Sequence, residues 1–185
     1  MARVLTAEAW AGRDTAAIAR RLLGCRLVVG GSEGRRALRI TEVEAYCGPH
    51  DRASHASRGR TPRNAVMFGP AGFWYVYLCY GVHEMLNLVT GPADYPAAVL
   101  IRGVEGIEGP GRLTRALRID RRFNHLPATR TTGLWIEERD VPVESGDVAA
   151  TPRIGVDYAG PEWSGKPWRF VLRAPGEARA RRAKR

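Results

Sequence analysis

The chain has 185 residues, room for one domain with a hydrophobic core but cramped for two, since domains run to about 100–150 residues. Apolar residues make up 44% and charged residues 26%, ordinary globular usage that excludes a largely disordered, collagenous or membrane-spanning chain. Lys and Arg number 29 against 19 Asp and Glu, a net charge of +10, which points to a polyanionic partner.

The first thirty residues carry Arg3, Glu8, Arg13, Asp14, Arg20 and Arg21 among the apolar positions, leaving no uninterrupted stretch for a signal peptide. Residues 14–24 start on a capping Asp, run through good helix formers with Ile18, Leu22 and Leu23 on one side, and stop at Gly24; this pattern predicts a short amphipathic helix. Residues 25–29 and 37–46 are rich in β-formers and flank a glycine-rich turn, so they read as two strands. Residues 48–70 are polar and interrupted by Gly and Pro, a long surface loop of the kind that often carries function. Residues 73–80 and 85–90 read as a strand pair around Gly81, and 97–102 as a further short strand. Residues 111–123 set Arg112, Arg115, Arg118 and Arg122 at helical spacing, one cationic stripe on a helix. Strands are expected over 135–138, 153–158 and 169–173. The last ten residues hold five basic side chains and one Glu, yet the net charge without them is still +6. The fold class expected is therefore α/β of the α+β type: one domain over 1–175 with a curved, mainly antiparallel sheet flanked by short helices, then a basic, unstructured tail over 176–185. The three cysteines, Cys25, Cys47 and Cys79, form no C-x-x-C pair, so a disulfide framework or zinc knuckle is not expected and a reducing cytoplasm is.

In a strand, alternate side chains share a face, which places Glu44 with Tyr46 and Tyr75 with Tyr77. A planar ring could stack between Tyr46 and Tyr77 while Glu44 reaches its edge or an adjacent water, and a nucleobase is such a ring. Basic side chains would hold phosphates while the tyrosines hold a base. By itself, a strand Glu is more often an exposed edge residue, and Glu42 shares the expected face with Glu44. Tyrosines at alternate positions are usually packing residues, the role expected of Tyr75. His50, Asp51 and His55 with Glu42 and Glu44 do not match a zinc spacing, and no metal is expected.

These residues fall in an ordered set of motifs. Glu42-Val-Glu44-Ala-Tyr46-Cys-Gly-Pro49, His55, Thr61-Pro-Arg63-Asn64, Met67-Phe68, Tyr75-Val-Tyr77, Tyr80-Gly81 and Asn87 resemble the alkyladenine (3-methyladenine) DNA glycosylase family of base-excision repair. The resemblance continues through Val99-Leu-Ile-Arg102, Gly109-Pro-Gly-Arg112, Arg153-Ile-Gly155 and Lys166-Pro-Trp-Arg-Phe170. It implies that Glu44 is the general base that deprotonates a water. Arg102 would help to hold that water, with a backbone carbonyl near Ile154. Tyr46 and Tyr77 would wall the base pocket, and His55 would close it. Asn87 would disfavour normal guanine, and Tyr80 would wedge into the duplex, with Arg63 and Arg112 as further DNA contacts. The implied activity is a monofunctional glycosylase acting on double-stranded DNA that carries 3-methyladenine, 7-methylguanine, hypoxanthine or ethenoadenine, as a monomer and without a cofactor. Lys166 and Lys184 are the chain's two lysines and lie outside the core motifs, so no Schiff-base lyase step is expected. Two other classes compete: a noncatalytic nucleic-acid-binding protein of the same fold and a metal-dependent nuclease.

Overall fold

The computed structural model describes residues 2–31 and 34–173. Helix α1 (Thr15–Leu22) begins where the Asp14 side chain accepts a hydrogen bond from the Ala17 N–H at 2.9 Å. It ends before Gly24, whose φ of +82° is open to glycine at little cost. Ile18 and Leu22 have 2% and 0% of their surface exposed, each burial contributing about 1.5–3 kcal/mol.

The strands are β1 (Arg26–Gly31), β2 (Gly34–Tyr46), β3 (Trp74–Cys79), β4 (His83–Thr90), β5 (Ala97–Val104), β6 (Ile107–Glu108), β7 (Leu134–Glu137), β8 (Val148–Thr151) and β9 (Arg169–Leu172). Every pairing between them is antiparallel. They form one curved sheet with the path β3-β4-β5-β2-β1-β7, to which β6 adds on β5 and the β8–β9 pair adds on β2. The first half of β2 pairs with β1, and its second half lies between β5 and β9. Register shifts flank Glu42 on the β5 side, the local bend of a β-bulge.

Period-two alternation gives this sheet two unlike faces. Val43, Ala45, Trp74, Val76, Leu86, Leu88, Val99 and Ile101 point into the main core with Ile18 and Leu22 of α1 and with Leu113 and Leu117 of α2 (Pro110–Leu117). Glu44, Tyr46, Tyr75, Tyr77, Asn87, Leu100 and Arg102 take the other face. The mixed fold with an antiparallel sheet is the one expected from the sequence.

Three elements differ from expectation. The cationic helix expected over 111–123 stops at Leu117, because Arg118 turns left-handed (φ +54°) and sends Ile119 into the core. A 3-10 turn, Arg121–Phe123, follows, so Arg112, Arg115, Arg118 and Arg122 do not form one helical stripe. The strand expected over 153–158 is irregular chain, because the Arg153 side chain is drawn into a buried ion pair with Asp51; β8 lies just before it. The loop over 48–70 is built around 3-10 turns at His55–Arg58 and Ala65–Phe68, stitched by Asn64, whose Nδ2 donates to the His55 and Gly59 carbonyls at 2.9 and 3.0 Å. The tail expected over 176–185 lies outside the described residues. Among those residues, no helix is long and apolar enough to cross a membrane.

Candidate active site

Register brings the chemistry together. Tyr75 pairs with Asn87, Asn87 with Leu100, Leu100 with Glu44, and Glu44 with Arg169, one row across β3, β4, β5, β2 and β9. Above the row opens a cavity of about 420 Å³ lined by Tyr46, His55, Tyr77, Asn87 and Arg102, with Tyr80 at its mouth. With Arg63, also on the lining, seven of the candidate site residues named from the sequence thus meet at one cavity.

Glu44 lies under the cavity wall, with no exposed surface. Its Oε1 accepts from the Ile154 N–H at 2.8 Å and lies 3.4 Å from Arg102 Nε, and its Oε2 accepts from the Tyr46 hydroxyl at 3.0 Å. The peptide next to Glu44 therefore offers the N–H of Ile154. Burial pushes the Glu44 carboxyl above the ordinary glutamate range, against the pull of Arg102, the Ile154 N–H and the Tyr46 hydroxyl. Burial and then the Glu44 carboxylate raise Tyr46 well above the usual tyrosine value, so it stays protonated and donates. Glu42, the neighbouring acid on this face, is engaged otherwise: its Oε1 accepts from Arg102 Nε at 2.8 Å and Arg169 Nε at 2.6 Å. These two charge-assisted bonds outweigh its desolvation and hold it below the usual range.

The aromatic wall is a fitted group. The His55 and Tyr77 rings meet edge-on with centroids 4.7 Å apart, and Tyr75 and Tyr77 lie 5.1 Å apart. His55 Nδ1 and the Tyr75 hydroxyl share a hydrogen bond of 3.0 Å. Burial, then Arg63, lowers the His55 pKa, leaving a neutral ring at neutral pH. Tyr75, expected as a packing residue, is buried at 2% exposure and also holds His55. Asn87 Nδ2 donates to the Tyr75 and Met85 carbonyls at 3.1 and 3.2 Å, which fixes the amide in the cavity wall. Arg63 stacks over Tyr77 with its guanidinium carbon 5.0 Å from the centroid, and its Nη2 donates to the Leu78 carbonyl at 3.2 Å. Arg112 is exposed on α2, away from the cavity lining.

Tyr80 sits at the tip of the β3–β4 hairpin with φ +50°, ahead of Gly81 at +70°, and 93% of its surface is exposed. Two consecutive left-handed residues closed by the Val82 N–H on the Cys79 carbonyl at 3.1 Å make a tight turn. A non-glycine residue held there is strained by about 1–2 kcal/mol, and such strain concentrates at functional sites. Glu84, close to the tip, is paired with Arg121 at 3.1 Å, so its charge is offset there.

Sequence reasoning missed the Asp51–Arg153 pair, in which both side chains have 0% exposure, and Tyr158, 69% exposed on the cavity lining with its hydroxyl on the Ala53 carbonyl. The motif Arg153-Ile-Gly155 was the available signal, because an Arg in an otherwise neutral run must find a partner or water. Among the described residues no group of three His, Cys, Asp or Glu side chains is placed to hold a metal ion.

Residues 9–108 and 106–175 match the protein family described as Methylpurine-DNA glycosylase (MPG). A protein from Anaeromyxobacter dehalogenans (strain 2CP-C), named "Putative 3-methyladenine DNA glycosylase", is 50% identical over 173 residues, covering 90% of this chain and 82% of its own. Proteins of the same name from Myxococcus xanthus and Methanocella arvoryzae are 45% and 44% identical, covering 90% and 89% of this chain and 89% and 94% of their own.

Proposed function

This chain belongs to the methylpurine-DNA glycosylase family, hydrolases of N-glycosyl bonds, and from that premise we propose that it flips damaged purines out of duplex DNA and releases them with a water activated by Glu44. One observation carries the reading: a buried carboxylate lies directly beneath an aromatic cavity that opens beside an exposed, strained tyrosine.

Extruding a nucleotide costs a few kcal/mol, least for a damaged or mispaired base. Tyr80 would fill the gap in the stack, while Tyr46, Tyr77 and His55 receive the base. Stacking on such rings is worth roughly 1–3 kcal/mol per base and favours cationic methylpurines. A water at the seam between Arg102, Tyr46 and Ile154 gives its proton to Glu44 as its oxygen bonds to C1′ of the sugar. The C1′–N bond breaks with its electron pair going to the purine. The carboxylate also offsets the positive charge that develops on the sugar. The products are a free purine and an intact strand with an abasic site.

The test is single-turnover base release from duplexes that carry alkylated purines or one hypoxanthine, with excess protein and EDTA, scored by free base and by alkali-labile sites. Free purine without strand breaks is expected. Binding without release would make this a noncatalytic nucleic-acid-binding protein, and chelator-sensitive strand cleavage would make it a nuclease. In the same assay Tyr80→Ser should slow release by about tenfold to a hundredfold, the equivalent of roughly 1–3 kcal/mol of lost stacking, while leaving affinity for undamaged duplex nearly unchanged. An equal loss on both duplexes would remove the wedge role.

A further inference from the structure

We propose that Arg153 is a positioning residue for base release: its buried pair with Asp51 clamps the Ile154 peptide N–H onto Glu44 and so fixes the carboxylate beneath the cavity. The inference rests on the reading of Glu44 given above.

The Arg153 fork ties together three of the segments that make the site. Its Nη1 donates to Asp51 Oδ2 at 2.5 Å and to the Ala45 carbonyl, between Glu44 and Tyr46, at 2.9 Å. Its Nη2 donates to Asp51 Oδ1 at 2.9 Å and to the Trp163 carbonyl, on α3 (Pro161–Ser164), at 3.2 Å. Asp51 in turn accepts from the Cys47 and Ala53 N–H groups at 3.0 and 3.1 Å, which anchors the start of the loop that carries His55. The guanidinium carbon lies 4.8 Å from the Tyr46 ring centroid and 5.0 Å from that of Trp168, so the same group backs the cavity wall.

The geometry exceeds what packing needs. Buried ion pairs are weak evidence of stability, because well-packed apolar side chains often serve as well. A planar bidentate fork, by contrast, fixes position and direction. Ile154 needs such fixing: it is 52% exposed and lies in irregular chain between β8 and the 3-10 turn Asp157–Ala159, with no ladder to hold its peptide. Its N–H nevertheless meets Glu44 Oε1 at 2.8 Å, because the adjacent Arg153 is locked.

The groups that face Glu44 are Arg102 from β5, the Tyr46 hydroxyl from β2, and the Ile154 N–H with Arg153 from the chain after β8. Glu42 and Arg169 stand two positions away and across on β9. Loosening the clamp withdraws a hydrogen-bond donor from the carboxylate, so Glu44 should bind a proton at higher pH.

The test is the pH profile of single-turnover release from methylated-purine duplex by Arg153→Lys, which keeps the charge and loses the fork, and by the isosteric Asp51→Asn. Both should bind undamaged duplex like the wild type. Arg153→Lys should show the acid limb displaced upward, the deficit reaching about tenfold per pH unit of displacement on the acid side and shrinking as pH rises. Asp51→Asn should be displaced the same way but by less, because its unpaired Arg153 cation pulls the Glu44 pKa down. A deficit equal at every pH, or no deficit, overturns the proposal. So does failure of both variants to fold, judged by thermal melting, because the pair would then be supporting the domain. Glu44→Gln is run alongside: full release by that variant removes the reading of Glu44 itself, whereas an inactive Glu44→Gln beside an unshifted Arg153→Lys profile overturns the clamp alone.

Discussion

Glu44→Gln is expected to bind damaged and undamaged duplex like the wild type and to release base about a hundredfold to ten-thousandfold more slowly, the usual contribution of a positioned general base. The substitution keeps the shape and an oxygen to accept from Ile154, but it removes the proton acceptor and the charge beside the developing sugar cation. The wild-type pH profile is expected to carry the matching signature. The base must be ionised, so release is present above the Glu44 pKa and lost as pH falls through it. Burial raises that pKa, which sets the acid limb above the ordinary glutamate value of about 4.3. The residual release by Glu44→Gln should lack that limb. Unchanged release by the variant would take Glu44 out of the reaction.

Trp74→Ala is expected to destabilise the protein by about 3–5 kcal/mol, the range for truncating a buried aromatic side chain, measured by urea unfolding. Trp74 has no exposed surface, and its Nε1 donates to the Leu134 carbonyl at 3.0 Å, which ties β3 to β7 across the core. Trp74→Phe should cost less, about 1–3 kcal/mol, chiefly for leaving that carbonyl unpaired. Because Tyr75 follows Trp74 on the opposite face, Trp74→Ala should also loosen the Tyr75–His55 hydrogen bond. A loss below about 1 kcal/mol for Trp74→Ala would mean that the core is not packed around this side chain.

How much of this could be read in the sequence follows from which interactions are local. Strand alternation is local, so Glu44 with Tyr46 and Tyr75 with Tyr77 could be paired by face, and the motifs named Tyr46, His55, Tyr77, Asn87 and Arg102, which the fold gathers around one cavity. Helix α1 was legible because both its stop signals and its apolar stripe lie within its own segment. The end of α2 was not, since Arg118 adopts a positive φ for the benefit of Ile119, which is buried at 2% exposure by distant elements. Arg153 was misread for the same reason. Its partner Asp51 lies about a hundred residues earlier, and no local pattern separates a clamped loop from a short strand. Glu42 and Glu44 looked equivalent under strict alternation. The bulge and the two arginines on Glu42 tell them apart, and both are tertiary features.

The odd-and-even division of the sheet bears on how such a protein can change. Residues such as Met85 and Leu100 touch the cavity, while their chain neighbours Leu86, Val99 and Ile101 belong to the main core. A point substitution at a cavity position can therefore reshape the pocket without entering the main core. Gaining or losing one residue inside β3, β4 or β5 would do the reverse, exchanging pocket for core along the whole strand. Turns and loops are therefore where a change of length should cost least, and the cavity is expected to be reshaped by single side chains on a fixed frame.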